Sequence, residues 1–264
     1  MEAAFDGVAA AYDGQFTDTA VGRMQRDLVR EVLGELLGRW EQPDVLELNC
    51  GTGADARWMA ERGARVLATD LSAGMVEVAR GSGVEGVEFE AVDLREVVRR
   101  RDRQFDVVFS NFGGLNCIGP ADLRAFGRDL KGVLRPGGVF VAVVMPRVCL
   151  WESVYFMAKG KLRAAVRRWN GGPVMAPLGN GILQPTWYFS PREFAGALGT
   201  DWGTDITRPI GFFLPPSYLD PFFHRRSGLL STLAALEHSS QDLSHRAAWS
   251  DHFLMSFRLL DNSH

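Results

Sequence analysis

Four residues in the first third of the chain could together bind a nucleotide-like ligand. Glu47 lies near the end of a short apolar run, Gly51 and Gly53 follow it, and Asp70 ends a second apolar run. Glycine lets the backbone turn tightly and approach a ligand, because it has no Cβ. A carboxylate at the end of the neighbouring strand can accept two hydrogen bonds from a ribose diol. In open α/β sheets ligands bind beyond the carboxyl ends of the strands, so this order predicts a nucleoside site.

The elements that must position these residues follow from the apolar pattern. Residues 45–48 are typical of a strand buried on both faces of a parallel sheet. Helix-forming residues fill 54–61, so the glycine turn leads into a helix N-terminus. Residues 65–70 predict the next strand. Strand, turn, helix and strand make one unit of a parallel α/β sheet.

Two classes of cofactor are compatible with this unit. A dinucleotide fingerprint would be Gly51-x-Gly53-x-x-Ala56 with Asp70 on the ribose. That interpretation leaves Glu47 unexplained, because an acid at the strand end repels a pyrophosphate. A cationic or zwitterionic nucleoside suits Glu47 better. An NAD(P)-dependent dehydrogenase stays open as the alternative.

The segment Glu47-Leu48-Asn49-Cys50-Gly51-Thr52-Gly53 resembles the first motif of the class I S-adenosylmethionine-dependent methyltransferases, in particular the small-molecule type related to the quinone-biosynthesis methyltransferases. That family has glycine where this chain has Asn49, and Asn is the non-glycine residue most tolerant of positive φ. The opening Phe5-Asp6-Gly7-Val8-Ala9-Ala10-Ala11-Tyr12-Asp13 and the turn Leu134-Arg135-Pro136-Gly137-Gly138 resemble the same family, and dehydrogenases as a rule lack that turn. The resemblance implies an α/β fold with a Rossmann-like, seven-stranded, mostly parallel sheet, helices on both faces and a lid inserted after the fifth strand.

The resemblance also implies S-adenosyl-L-methionine as cofactor and suggests which residues contact it. Tyr12 would cap its methionine end, Leu71 and Met75 would wall the adenine ring, and Asp93 would bind the adenine amino group. Asn111 and Phe112, at the end of the fourth strand predicted over 105–112, would border both cofactor and acceptor. The full predicted set is Tyr12, Glu47, Leu48, Asn49, Gly51, Gly53, Asp70, Leu71, Met75, Asp93, Leu94, Asn111 and Phe112.

We expect one domain, 1–264, with an N-terminal helical cap (1–40), a cofactor-binding core (41–145), a lid (146–189) and the C-terminal part of the sheet (190–264). Apolar residues at helical spacing predict a helix over 21–37 and, within the lid, over 151–169. The other face of the lid helix is basic: Lys159, Lys161, Arg163, Arg167 and Arg168. Such a face is usually just exposed to solvent. The alternatives are that it binds an acidic substrate or contacts a membrane surface. Glycine and proline predict loops at 171–173 and 177–181.

The acceptor is expected to be a small, ring-containing apolar molecule, methylated at O, N or C. Trp151, Tyr155, Trp187 and Tyr188 are predicted to line its pocket. His224 is the candidate base, although a histidine beside Arg225 and Arg226 is more often a surface residue. A base is needed only for a hydroxyl or carbon-acid acceptor. A non-catalytic cofactor-binding module and a macromolecule methyltransferase stay open as rival functions.

Composition is that of an ordinary enzyme. With 264 residues, of which 46% are hydrophobic and 23% charged, the chain can bury a full core. Its net charge of -3 offers no general attraction for nucleic acid. Three cysteines without metal-type spacing favour free thiols in a reducing, cytoplasmic compartment and no bound metal. The acidic start is no signal peptide, no apolar run could span a membrane, and the oligomeric state is open.

Overall fold

A seven-stranded sheet organises the protein. The computed structural model describes residues 5–9, 13–179, 181–223 and 225–260. The strand order is β3-β2-β1-β4-β5-β9-β8, in which β1 to β5 are parallel and β9 is antiparallel to both of its neighbours. This confirms the predicted mostly parallel sheet of seven strands. The strands are β1 Asp44–Leu48, β2 Arg65–Asp70, β3 Val87–Ala91, β4 Phe105–Ser110, β5 Leu134–Val144, β8 Trp202–Ile210 and β9 His252–Leu259, with a separate hairpin of β6 Val174–Gly179 and β7 Ile182–Thr186.

Helices connect the strands, and several of them begin at a side chain that caps the first turn. Ser72 accepts a hydrogen bond from the Met75 N–H, and Ser190 forms a capping box with Glu193. Thr19 caps the long first helix in the same way. The helices are α1 Ala20–Leu37, α2 Ala54–Ala60, α3 Ala73–Arg80, α4 Leu94–Val97, α5 Pro120–Leu130, α6 Leu150–Ala158, α7 Leu162–Ala165, α8 Pro191–Leu198, α9 Asp220–Phe223 and α10 Ser227–Ser239.

The core lies on both faces of the sheet. Val45, Val66 and Val107 point to the cluster that contains the apolar stripe of α1. Leu46 and Val108 point to the opposite cluster, which contains residues of α5 and α8. Both faces of the central strands are therefore covered, which is why β1, β4 and residues 139–144 of β5 are buried at every position and are mostly apolar.

The segment between β5 and α8 differs from the single amphipathic helix that its spacing predicts. It forms α6, α7 and a 3-10 turn over Arg167–Trp169. Gly160, with φ of +68°, lies between α6 and α7, and such a left-handed residue ends a helix. The apolar stripe is not buried as one face, because Val154, Leu162 and Trp169 are exposed.

The prediction of a loop at 177–181 is wrong in its first part. Strand β6 continues to Gly179, and β7 begins at Ile182. Pro177 has no N–H, but each strand of a two-stranded hairpin has one unpaired edge, where a proline is tolerated. Gly181, with φ of +78°, supplies the turn.

Among the described residues, none of the helices combines the length and the apolar character that crossing a membrane requires. In the same part of the chain, no group of three or more histidine, cysteine, aspartate or glutamate side chains could hold a metal ion. Cys50, Cys117 and Cys149 are all free thiols.

Candidate active site

The turn after β1 is left-handed at three residues. Asn49, Gly51 and Gly53 have φ of +51°, +55° and +78°. A Cβ on Gly53 would lie 2.8 Å from the Phe89 ring, so Gly53 is required for packing. A Cβ on Gly51 would meet nothing within 4 Å. The backbone at Gly51 therefore faces open space, where a ligand can approach it.

Asp70 joins this turn to the start of α3. Its Oδ2 accepts a hydrogen bond from the Gly51 N–H and its Oδ1 accepts one from the Ser72 N–H, both at 2.9 Å. Burial raises the pKa of Asp70, and these N–H donors oppose the rise. The carboxylate has further lone pairs, so it can accept hydrogen bonds from a ligand while it holds the turn.

Glu47 is a buried carboxyl with an unsatisfied oxygen. Its side chain is almost fully covered, and Oε2 has no hydrogen-bond partner. Burial, followed by the charge of Asp55, raises the pKa of Glu47 well above its ordinary value, although Arg26 opposes this. An unsatisfied buried acceptor costs about 1 to 3 kcal/mol. Beside a glycine turn it fits a ligand that brings a positive charge.

Asn49 ties the turn to the end of β4. Its Oδ1 accepts a hydrogen bond from Ser110 Oγ at 2.7 Å, and its Nδ2 donates one to the Asn111 carbonyl at 2.9 Å. The left-handed conformation predicted for Asn49 is confirmed. Its side chain lies against Gly114, where a Cβ would overlap the amide group.

A cluster of Arg26, Arg30, Asp55 and Asn111 supports the turn, and sequence reasoning missed it. Asp55 pairs with Arg26 and with Arg30, the latter at 2.9 Å. It also accepts a hydrogen bond from Asn111 Nδ2 at 2.7 Å. These contacts fix α1 to α2 and to the end of β4. The available signal was a pair of arginines, Arg26 and Arg30, one helical turn apart on α1.

Asp6 and Asp13, near the N-terminus, contact the same edge of the sheet. Asp6 accepts hydrogen bonds from Ser72 Oγ and from the Gly74 N–H. Asp13 accepts one from Thr52 Oγ1 at 2.7 Å. These two residues therefore contact α3 and the glycine turn. The predicted contacts of Tyr12, and the predicted base His224, lie outside the described residues.

The residues predicted to contact the adenine ring lie at or just before the starts of α3 and α4. Leu71 is 62% exposed, whereas Met75 is buried. Leu48 is buried in the core, and Leu94 is half-buried at the start of α4. Asp93 caps α4 by accepting a hydrogen bond from the Arg95 N–H at 2.8 Å, and it pairs with the Arg95 guanidinium. Arg95 lowers the pKa of Asp93.

The end of β4 carries backbone strain. Phe112 has φ of +37°, which is unfavourable for a bulky side chain and costs about 1 to 3 kcal/mol. Its N–H donates to Asn111 Oδ1 at 2.9 Å, and the Arg26 guanidinium lies 5.2 Å above its ring. Strained residues that the surroundings hold in place concentrate at functional sites.

The four aromatic residues predicted for the acceptor pocket lie in two places. Trp151 and Tyr155 pack against the cluster on the α1 side of the sheet, and Trp151 Nε1 donates to the Phe213 carbonyl. Trp187 packs on the opposite cluster. Tyr188 is buried beneath the Arg168 guanidinium, 5.1 Å from its ring centre.

The basic residues of the insertion do not form one solvated face. Arg167 and Arg168 both pair with Glu152, which is buried. Arg168 is itself buried and reaches Asp251. Lys159, Lys161 and Arg163 are exposed, as predicted. The spacing could not show which arginines turn inward, because their partner Glu152 lies on the apolar helix.

Asn116 closes the base of this insertion. Its Nδ2 donates to the carbonyls of Met145 and Trp187, at 3.2 and 2.6 Å. Its Oδ1 accepts from the Met145 N–H at 2.9 Å. One fully buried amide thus holds the end of β5 beside the end of the inserted segment.

Comparison with known proteins agrees with this geometry. A family model described as a methyltransferase domain matches residues 45–138. The chain is similar to a demethylmenaquinone methyltransferase of Clavibacter sepedonicus, with 36% identity over 53% of this chain and 56% of the relative. It is also similar to a malonyl-[acyl-carrier protein] O-methyltransferase of Pseudescherichia vulneris, with 30% identity over 65% of this chain and 68% of the relative. The match to the first of these relatives thus spans little more than half of that relative's length.

One of the solved structures with a similar fold is the CcbJ methyltransferase from Streptomyces caelestis. The TM-score is 0.62, the identity is 14%, and the match covers 98% of each chain. At this identity the likeness concerns the fold. It extends over the C-terminal half, which the family model does not match.

Proposed function

We propose methyl transfer to a small molecule as the activity of this chain, because the chain belongs to the class I S-adenosylmethionine-dependent methyltransferases related to the enzymes of quinone biosynthesis. The observation that carries the proposal is Glu47 Oε2, a buried acceptor without a partner beside the glycine turn. The cofactor brings a positive charge to this position, whereas a dinucleotide brings a pyrophosphate. The residues present therefore fit S-adenosylmethionine.

The bound cofactor supplies a methyl group on a sulfonium. Around it, Asp70 would accept hydrogen bonds from the ribose diol while it holds the Gly51 N–H. Glu47 would face the methionine end, and Leu71 and Met75 would lie along the adenine ring. Asn111 and Phe112 would border both the cofactor and the acceptor. We keep Leu48, Asn49, Gly53, Asp93 and Leu94 in the same proposed set.

Most of the catalytic contribution of the chain is then positioning and exclusion of water. The inserted segment, held at its base by Asn116, supplies Trp187 and Tyr188 near the end of β5. Trp151 and Tyr155 approach from the other face of the sheet. We propose a ring-containing apolar acceptor, which the similarity to a demethylmenaquinone methyltransferase supports.

The net charge of -3 supports a small molecule over nucleic acid as partner. The three free cysteines support a cytoplasmic location. We also propose the division into cap, core, lid and C-terminal part given above, with all four in one domain.

Calorimetric titration tests the cofactor. We expect S-adenosylhomocysteine to bind and NAD to give no heat of binding. Transfer of an isotope-labelled methyl group is then measured with demethylmenaquinone, with malonyl-[acyl-carrier protein] and with small ring compounds. Binding of NAD without binding of S-adenosylhomocysteine would overturn the methyltransferase assignment in favour of a dehydrogenase. Binding of S-adenosylhomocysteine without any methyl transfer would favour a non-catalytic module.

A further inference from the structure

His252 lies at the carboxyl edge of the sheet, beside the end of β4. Strand β9 runs antiparallel to β5 and begins at His252, with Phe253 opposite Val144. The imidazole therefore reaches the edge at which β1 and β4 end. It meets the Phe112 ring edge-on, with ring centres 5.2 Å apart. Phe112 borders the proposed cofactor, so His252 borders the candidate active site.

One ring nitrogen of His252 faces a buried carboxylate. Nδ1 is covered, makes no hydrogen bond and lies 3.3 Å from Asp251 Oδ2. This is within ion-pair distance. Such a carboxylate favours the tautomer with the proton on Nδ1, which leaves Nε2 as an acceptor. The side chain is 13% exposed, and because Nδ1 is covered, this exposed surface belongs to the other side-chain atoms.

Asp251 is held as a carboxylate by Arg168. The Arg168 guanidinium donates to Asp251 Oδ1 and to the Asp251 carbonyl, both at 3.2 Å. Burial would raise the pKa of Asp251, but His252 and Arg168 outweigh it and lower that pKa below its ordinary value. Arg168 is fixed in turn by Glu152 of α6, at 2.8 and 3.0 Å. A chain of charged groups thus connects the inserted segment with His252.

Packing alone does not account for the imidazole. An apolar side chain at position 252 would also pack against the Phe112 ring. Unlike histidine, it would not bury a nitrogen that lacks a hydrogen-bond partner. A histidine that is oriented by a carboxylate, which is oriented by a third group, is the arrangement by which imidazole removes a proton from a nucleophile.

We propose that His252 is the general base of the methyl-transfer reaction and that Asp251 and Arg168 are its positioning residues. The inference rests on the proposed function. Nε2 takes the proton from an acceptor hydroxyl or acidic C–H group, and the electron pair left on that atom forms the bond to the methyl carbon. The electron pair of the broken carbon–sulfur bond stays on the sulfur, which becomes a neutral thioether. The imidazolium, stabilised by Asp251, then releases its proton to water.

This assignment specifies the class of acceptor. A neutral amine attacks without a base, so a site built around His252 serves a nucleophile that must lose a proton. The acceptor is therefore a hydroxyl compound or a carbon acid.

Nitrogen NMR of the full chain with 15N-labelled histidine tests the arrangement apart from turnover. We expect the His252 signals, assigned with His252→Gln, to show a protonated Nδ1 and an unprotonated Nε2. Asp251→Asn should remove this preference, and S-adenosylhomocysteine should shift the His252 signals but not those of the exposed His245. The inference is overturned if Asp251→Asn leaves the tautomer unchanged, or if saturating S-adenosylhomocysteine leaves His252 unshifted.

Measurements of kcat then distinguish a catalytic base at position 252 from a residue with a purely structural role. His252→Gln should keep the affinity for S-adenosylhomocysteine within a few-fold and lower kcat by roughly 10²-fold or more on hydroxyl or carbon-acid acceptors. His245→Gln is the matched control and should keep full activity. An equal loss on amine acceptors, or an unchanged kcat on hydroxyl acceptors, would overturn the assignment. If the wild-type chain does not bind S-adenosylhomocysteine, the proposed function fails, whereas the tautomer measurement still decides whether Asp251 orients His252.

Discussion

The amide group of Asn49 occupies the space that a Cβ on Gly114 would need. Asn49 stands where the related methyltransferases have glycine, and Gly114 follows β4, far away in the chain. The two positions are therefore complementary, because the Asn49 side chain fits only where residue 114 has no side chain.

Gly114→Ala should destabilise the protein by about 1 to 3 kcal/mol, because the new methyl group overlaps Asn49. It should also weaken binding of S-adenosylhomocysteine, since Asn49 supports the glycine turn. In the Asn49→Gly background the same substitution should cost much less, which denaturant unfolding of the double-mutant cycle measures. Gly172→Ala, which meets no atom within 4 Å, is the control. Additive effects of the two substitutions would contradict the complementarity.

Glu47 predicts a pH dependence of cofactor binding. In the free protein burial raises the pKa of Glu47, so its carboxyl stays protonated at pH values at which an exposed glutamate is ionised. A cationic ligand favours the carboxylate, so binding releases a proton and the affinity should rise as pH rises toward that pKa, then level off. Glu47→Gln should remove this slope. Calorimetry across pH measures it, and the same slope in Glu47→Gln would assign the effect to another group.

The same residue predicts an opposite effect on stability. A carboxyl whose folded-state pKa is raised favours folding when it is protonated, so its contribution to the unfolding free energy increases as pH falls through that pKa. Glu47→Gln resembles the protonated form. At pH values above the folded-state pKa it should therefore leave the free protein as stable or more stable in denaturant unfolding, while it weakens cofactor binding. A clear loss of stability would show that the carboxylate has a structural partner.

Asp70→Ala should weaken S-adenosylhomocysteine binding tenfold or more. The substitution removes acceptors for the ribose diol, each worth roughly 1.5 to 3 kcal/mol, and also frees the Gly51 and Ser72 N–H groups. Glu77→Ala on the exposed side of α3 is the control. An unchanged dissociation constant in folded Asp70→Ala would exclude Asp70 from the ribose site.

Asn116→Ala should loosen the inserted segment at its base. It leaves the Met145 and Trp187 carbonyls without the donor that now serves both, which costs about 1 to 3 kcal/mol or more. Hydrogen exchange should become faster in the inserted segment and in the last residues of β5, while the strands β1 to β3 keep their protection. Asn170→Ala, an exposed asparagine of the same segment, is the control. Uniform loss of protection would instead indicate global destabilisation.

Much of the sheet could be predicted because its signals are local. The apolar runs before Gly51 and up to Asp70 each depend on neighbours in the chain, and a mostly parallel sheet of seven strands followed from the family resemblance. The segment Leu134 to Gly138, predicted as a turn, instead belongs to β5, where the pairing with β4 shifts register.

The side-chain contacts that complete the site could not be predicted in this way. Asp55 meets Arg26, and Asn116 meets Trp187, only because the fold brings distant segments together. His252 is the first residue of β9, and nothing in its own sequence neighbourhood shows that this strand begins at the carboxyl edge of the sheet. The helical spacing of 151–169 correctly indicated helix, yet it could not show the break at Gly160 or the inward turn of Arg168.

The position of β9 between β5 and β8 has a consequence for synthesis on the ribosome. The strands β1 to β5 can pair as soon as they emerge, but β5 then has an unpaired apolar edge until β9 is made, after the whole stretch from α6 to α10. Such an edge is a template for wrong pairing while translation continues. The nascent chain is therefore most exposed to aggregation in that interval. The interval ends when β9 pairs with β5, and the same pairing brings His252, the first residue of β9, to the carboxyl edge of the sheet.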